Sequence, residues 1–429
     1  MKRVLYSAAL GLGTLAAAPF IGARLARPAK RAATLARLGL GPEARPPRVQ
    51  PGGIWLHALS VGESASALPL VAGLRQRFPD KSIAFSCGTG QGLATARDTL
   101  ADQADALFIR PLELPWALGP VLDALRPGLA ILVEGDLWPG WQWALAARGA
   151  ARLLVNGRVS PRTLRGYQRL GPLARELFRG FDLVLMQTPT DRERLLSIGV
   201  PPARVQVGGN LKFDSAPTKL TQAERVALAH ELGLSGRTVL VAGSTHAGEE
   251  EPCLDAFATL KARHPGLALL LAPREVERGG AVARMAIARG LSAGRVSQGP
   301  VPPDADVVVL DVLGRLAPAY ALGVASFVGG SLTPIGGHNL LEPAAQGCPV
   351  LFGPHTHNFL EMARGLEAAG GGERIATGAD LASAWGRQLS EPKQAQAMGR
   401  AALEFVAAHH GAVERAVDAA AGLLEGGHG

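Results

Sequence analysis

Cysteine is almost missing from this chain: Cys87, Cys253 and Cys348 are its full complement in 429 residues. Odd in number and far apart, they supply neither a disulfide framework nor a cysteine-based zinc site, and they fit a reducing compartment. Aromatic residues make up only 5%. No RNA-recognition, KH or zinc-finger pattern occurs, so nucleic acid is a poor partner. There is no short-period repeat, and no low-complexity tract apart from the glycine-rich tail. Charged residues reach only 19% against 47% hydrophobic, a balance that permits large cores and disfavours disorder. At roughly 150 residues per domain, the length predicts two or three folding units.

The net charge of +8 is local. Residues 1–48 hold nine Lys and Arg and one acid, Glu43, which leaves 35 basic and 35 acidic residues for the remainder. This excess flanks an apolar run, Val4 to Ala23, that carries no charge. Twenty helical residues reach about 30 Å, the thickness of a bilayer core. A cleaved signal peptide, a transmembrane helix and an interfacial anchor all compete for such a segment. Arg24, Arg27, Lys30 and Arg31 follow the run and outnumber Lys2 and Arg3 before it. Positive flanks stay on the cytoplasmic side. The pattern therefore predicts a retained N-terminal anchor over residues 1–28, with the body of the protein on the cytoplasmic side of the membrane.

After the Pro/Gly-rich joint Gly41–Gly53, short apolar runs alternate with helical stretches. Strands are expected at Gly53–Ala58, Ser82–Ser86, Leu129–Val133, Arg152–Val155, Leu183–Met186 and Val205–Val207. The pattern restarts with Thr238–Ala242, Leu267–Ala272, Val307–Leu310, Ala325–Val328 and Pro349–Leu351. Continuous apolar strands between helices indicate an α/β fold with parallel sheets covered on both faces. We expect two successive Rossmann-like domains, 29–208 and 209–429, joined near residues 208–220. The cleft between them is the default ligand site.

Motifs cluster at the predicted strand ends. Gly243-Ser244-Thr245-His246 reads as a phosphate-binding turn leading into a helix, or as an ordinary β–α turn. Gly336-Gly337-His338-Asn339 leads to Glu342, one turn into a helix, where a carboxylate could hold both ribose hydroxyls or simply favour the helix N-terminus. Arg274 follows a buried strand and suits phosphate, unless it is a surface arginine. Lys212 lies at the domain joint, where it can reach an anion; solvated lysines are commoner. In His57-Ala58-Leu59-Ser60-Val61-Gly62-Glu63, Glu63 opens a helix, as a general base facing the cleft or as a dipole-matched carboxylate. His57 lies within a strand, while His246 and His338 lie in the second half, so no histidine is a better base. Glu134 and Asp136 form a DxD-like pair that could bind a metal or only make hydrogen bonds. Asn156, Arg158, Ser160, Arg162 and Tyr167 make a basic loop.

Taken together, these segments resemble the 3-deoxy-D-manno-octulosonic acid (Kdo) transferase family of lipopolysaccharide synthesis. The motifs occur in the family's order along nearly the whole chain: His-Ala-x-Ser-x-Gly-Glu from His57, Glu-x-Asp-Leu-Trp-Pro from Glu134, Asn-x-Arg-x-Ser-x-Arg from Asn156, Gly-Asn-Leu-Lys-Phe-Asp from Gly209, Ala-Gly-Ser-Thr-His from Ala242 with Glu249-Glu250, and Gly-Gly-His-Asn-x-x-Glu-Pro from Gly336. Departures are Ser86–Gly90 in place of a threonine-rich run, Gly135-Asp136 in place of Thr-Glu, Glu275-Val276 in place of His-Pro, and His357 in place of Phe.

The resemblance implies a GT-B fold and an inverting glycosyltransferase that carries Kdo from CMP-Kdo to the lipid A precursor lipid IVA. Glu63 becomes the catalytic base. The donor would meet Lys212, Gly243, Ser244, Thr245, Arg274, Gly336, Gly337, His338, Asn339 and Glu342. The acceptor side comprises Ser60, Gly62, Glu134, Asp136, Asn156, Arg158 and Arg162. No cofactor or metal is expected, since CMP-Kdo is a substrate and cationic groups can do the electrostatic work. Two rivals stay open: a UDP-sugar transferase acting on an undecaprenyl-linked acceptor, and a sugar-nucleotide-binding protein that has lost transfer.

Overall fold

The computed structural model describes residues 2–135 and 137–426. It divides into two compact units, residues 1–215 with 410–429, and residues 216–409.

The first unit is built on a seven-stranded sheet: β1 (Ile54–Ala58), β2 (Ile83–Cys87), β3 (Ala106–Ile109), β4 (Leu129–Val133), β5 (Ala151–Gly157), β6 (Leu183–Met186) and β7 (Val205–Val207). Their order is β3-β2-β1-β4-β5-β6-β7, and every pairing is parallel. β1, β2 and β4 are buried along their whole length, because helices cover both faces. Alternate residues feed different cores. Ile54, Leu56 and Ala58 join Leu70 and Leu74 of helix Val61–Arg77. Trp55 points the other way, toward Trp141, Leu145 and Phe178. Each large apolar side chain so buried contributes about 1.5–3 kcal/mol.

The second unit repeats the architecture with β8 (Thr238–Thr245), β9 (Leu267–Pro273), β10 (Ala293–Arg295), β11 (Val307–Val309), β12 (Gly323–Val328), β13 (Val350–Phe352) and β14 (Gly372–Arg374). The order is β10-β11-β9-β8-β12-β13-β14. Each sheet changes direction once, between β1 and β4 and between β8 and β12. In open parallel sheets, ligands sit outside the carboxyl ends of the strands at such a switch point.

The last helix, Ala412–Glu425, packs with the first unit rather than the second, against the core that β1 and helix Val61–Arg77 share. Asp214 fixes its start by accepting the amides of Gly411 and Val413, both at 2.6 Å. A division that gives all of 209–429 to one domain therefore does not describe the packing of residues 209–215 and 410–426.

Among the described residues no single helix is long and apolar enough to cross a membrane. The segment expected to be one anchor is instead split into helices Lys2–Ala16 and Ala18–Leu25, and the pair Tyr6–Ala16 and Ala18–Leu25, bent by 56°, passes the length and composition test together. Pro19 explains the break: it has no N–H for the preceding turn and its ring crowds that turn's carbonyl. Leu12, Leu15 and Phe20 are largely exposed. The Tyr6 hydroxyl donates to Glu113 Oε2 at 2.5 Å, and its ring meets that of Trp143 edge to face.

Candidate functional site

The first unit gathers its motifs where β1, β4 and β5 end, beside the switch point. Ser60 caps helix Val61–Arg77, its Oγ accepting the Glu63 amide at 3.2 Å. The Glu63 carboxylate returns the contact, accepting from Ser60 Oγ at 3.0 Å and from the Leu59 amide at 2.8 Å. This is a capping box shifted by one residue, so the dipole-matching role of Glu63 is realised. The side chain is half-buried and Gly62 beside it is exposed.

At the end of β4, Glu134 adopts φ +71°, and at the end of β5, Asn156 adopts φ +58°. Left-handed backbone costs a non-glycine residue roughly 1–2 kcal/mol. Only four described non-glycine residues have positive φ, and three of them are Glu134, Asn156 and Ser244, all candidates from the motifs. Strain of this kind persists where surrounding contacts fix it, commonly at functional sites. Here the fixing contacts belong to Asn156, which is buried. Its Nδ2 donates to Glu134 Oε1 at 3.3 Å, its Oδ1 accepts the Leu211 amide at 3.1 Å, and its carbonyl accepts from Gln187. Asn156 thus draws Glu134 and the segment carrying half-buried Lys212 to one place. Lys212 accordingly belongs to the first unit, not to the donor half where the sequence division put it. Arg158 and Arg162 are exposed, and Ser160 caps helix Pro161–Leu170. Asp136 lies outside the described residues.

Arg110 belongs to none of the sequence motifs. It is 3% exposed at the end of β3, and its guanidinium lies 4.0 Å over the Trp138 ring, which holds the loop after Glu134. Its Nε donates to His57 Nε2 at 3.1 Å. His57 must therefore carry its proton on Nδ1, which donates to Ser86. Burial, then the charge of Arg110, holds His57 well below the ordinary histidine range. It is a neutral structural link.

In the second unit the expected phosphate turn is built differently. β8 runs through Thr245, with Ser244 at φ +54° and a register shift between Gly243 and Thr245. The helix starts only at Glu250, so its N-terminus does not open at residues 243–245. The intervening Glu249 is fully buried. Its carboxylate accepts the amides of His246, Gly330, Ser331, Leu332 and Thr333, at 2.6–3.3 Å. The amides of Gly336 and Gly337 bond the Gly330 carbonyl at 3.1 and 2.7 Å. The glycine-rich loop spends these amides on the unit itself.

Motif side chains flank the second switch point. His246 follows β8, and His338 lies in the loop after β12; their Nε2 atoms are 2.7 Å apart. The α-carbon of Gly330 abuts both rings: a Cβ there would stand 2.9 Å from His338. Gly243 is equally constrained, since a Cβ would collide with the Tyr320 hydroxyl. Exposed Arg274 follows β9, and its charge bears on both His338 and Glu342. Glu342 opens helix Leu341–Ala345 and accepts from Asn339 Nδ2 at 3.4 Å; burial raises its carboxyl above the usual range. His338 is pulled down to about 4, chiefly by burial and then by His246 and Arg274.

Comparison with known proteins bears on the family and the fold. The sequence profile described as 3-Deoxy-D-manno-octulosonic-acid transferase (kdotransferase) matches residues 30–215. The Bordetella pertussis 3-deoxy-D-manno-octulosonic acid transferase is 37% identical over 390 residues, covering 88% of each chain. The chain belongs to the 3-deoxy-D-manno-octulosonic acid transferase family. The Haemophilus influenzae protein of the same name is 32% identical over 377 residues, 87% of this chain and 88% of that one. Among solved structures, UDP-GlcNAc 2-epimerase from Neisseria meningitidis bound to UDP-GlcNAc has a TM-score of 0.55 over 87% of this chain and 100% of its own, at 11% identity. That likeness concerns the fold of two parallel-sheet Rossmann-like domains. Membership in this family makes the chain a glycosyltransferase in class.

Proposed function

We propose that the protein is an inverting transferase that moves Kdo from CMP-Kdo to lipid IVA at the cytoplasmic face of the inner membrane, held there by its N-terminal helices. One observation carries the reading: the identity to a Kdo transferase of Bordetella pertussis extends over 88% of both chains. The residues fit the chemistry. Glu63 takes the proton of the acceptor hydroxyl as its oxygen attacks the anomeric carbon, and the bond from that carbon to the CMP phosphate oxygen breaks. Arg274 stabilises the departing phosphate by a charge-assisted hydrogen bond, and Lys212 adds positive charge for the transferring anion. Glu342 and Asn339 hold the ribose, and Gly336 and Gly337 keep their loop close to it. Glu134, Asn156, Arg158 and Arg162 serve the acceptor and its phosphates. With cationic side chains in these roles the reading calls for no metal ion and no cofactor. Lipid chains stay with the membrane, where the bent apolar helix pair and the following arginines are suited to an anionic surface.

Nucleotide preference tests the donor half directly. CMP should bind the purified full-length chain in preference to UMP, and Arg274→Ala should weaken it about tenfold to a hundredfold, the equivalent of a charged hydrogen bond of about 1.5–3 kcal/mol. Equal or stronger UMP binding would favour the UDP-sugar alternative.

A further inference from the structure

We propose that His246 and His338 form a proton-sharing pair that takes up one proton from solvent when a nucleoside monophosphate binds the second unit. The proposal rests on the donor-site reading above and deepens it.

The geometry is specific. The two Nε2 atoms stand 2.7 Å apart, the ring planes are within 7° of parallel, and the centroids are 5.1 Å apart. Rings stacked face to face would bring their centroids closer than that; these meet edge to edge along a hydrogen bond. One Nε2 must donate and the other accept, so the neutral pair holds one proton between the rings. A third N–H can be added at the outer Nδ1 without breaking that bond. A fourth would set two N–H groups head to head. The pair can therefore switch between neutral and singly positive with no change of conformation.

The surroundings set the direction of the switch. Arg274 faces His338 and opposes protonation, while buried Glu249 favours it. Glu342 also feels the charge of Arg274. His357 lies across Gly336, where a Cβ would meet its ring. Partial burial keeps His338 low, so its ring enters the pair as a neutral imidazole. The amides that a glycine-rich loop would ordinarily offer an anion are held by Glu249 and by the Gly330 carbonyl. An incoming phosphate must find its positive charge in Arg274 and in this pair. An anion neutralises the influence of Arg274 and adds its own field, and both changes favour the protonated pair.

Titration calorimetry of CMP into the full-length protein at pH 7.5 tests this, in two buffers of different ionisation enthalpy. The second phosphate pKa is near 6, so CMP enters already as a dianion. Wild type should take up about half a proton or more, and CMP affinity should fall about threefold or more per pH unit above neutrality. His246→Gln should bind CMP several-fold more weakly, because the charge of the pair is lost, and without proton uptake. Should that variant not fold, His338→Gln serves the same purpose. Binding with no buffer dependence in wild type, or uptake that persists in the variant, overturns the coupling alone. Absence of any CMP binding removes the donor reading together with it.

Discussion

Replacing Glu63 by glutamine separates its two possible roles, because each role predicts a different magnitude. Structurally, the carboxylate accepts the Leu59 amide at 2.8 Å and the Ser60 hydroxyl at 3.0 Å. A glutamine can keep both contacts: its oxygen accepts from Leu59, and its NH₂ donates to Ser60 Oγ in place of accepting from it. What it loses is a negative charge on the first turn of helix Val61–Arg77, a contribution of about 0.3–1 kcal/mol. The cost to stability is therefore about 1 kcal/mol or less, a shift in melting temperature of roughly 2–4 °C for a unit of this size. A general base contributes far more to rate, roughly 10²–10⁴-fold. Initial rates of Kdo transfer at saturating donor and acceptor, measured beside a urea unfolding curve and CMP titration, read all three quantities. We expect a loss of at least a hundredfold in rate with folding and CMP affinity nearly unchanged. Transfer within a few-fold of wild type would reduce Glu63 to a capping residue, and Glu134 or Asp136 would become the next candidate base.

Other expectations are equally direct. Asn156→Ala leaves the buried Leu211 amide without its acceptor and puts alanine at φ +58°; unfolding should become easier by about 2 kcal/mol or more, and an unchanged urea midpoint would show that the junction with Glu134 is not under strain. His57 and His338 both bind protons more weakly in the folded chain than in the unfolded one. Their stabilising contribution is complete above the unfolded value near 6.5 and is lost as pH falls toward 4. The urea midpoint should drop over that window, and a flat profile would contradict the burial of these rings. Deleting residues 1–27 should free the protein from membranes in cell fractionation while leaving a folded, CMP-binding body, because Glu113 retains the Gly140 and Trp141 amides after Tyr6 is removed.

Of the eleven strands that could be read from the sequence, ten lie inside the sheets and β7 lies at an edge. β1, β2, β4, β8 and β9 are buried on both faces and carry uninterrupted apolar runs. The three that were not expected, β3, β10 and β14, are all edge strands. Ala293-Gly294-Arg295 and Gly372-Glu373-Arg374 are only half-buried, so no hydrophobic run marks them. The site divided in the same way. The positions of Glu63, Glu134 and Arg274 beside strand ends were legible because the apolar runs mark where the strands stop. The jobs of Glu249, Arg110 and the His246–His338 pair were not, because each depends on a partner 53 to 92 residues away or on a loop that folds back over it. The helix after the Gly243-Ser244-Thr245 turn begins at Glu250, because Glu249 is drawn into the amides of residues 330–333.

The central claim is transfer itself. Purified full-length protein incubated with CMP-Kdo and lipid IVA should release CMP and convert the lipid to a species heavier by one or more Kdo residues, read by mass spectrometry. An unmodified lipid in the presence of a folded, CMP-binding protein, or a lipid glycosylated only when a UDP-sugar is supplied, would contradict the account.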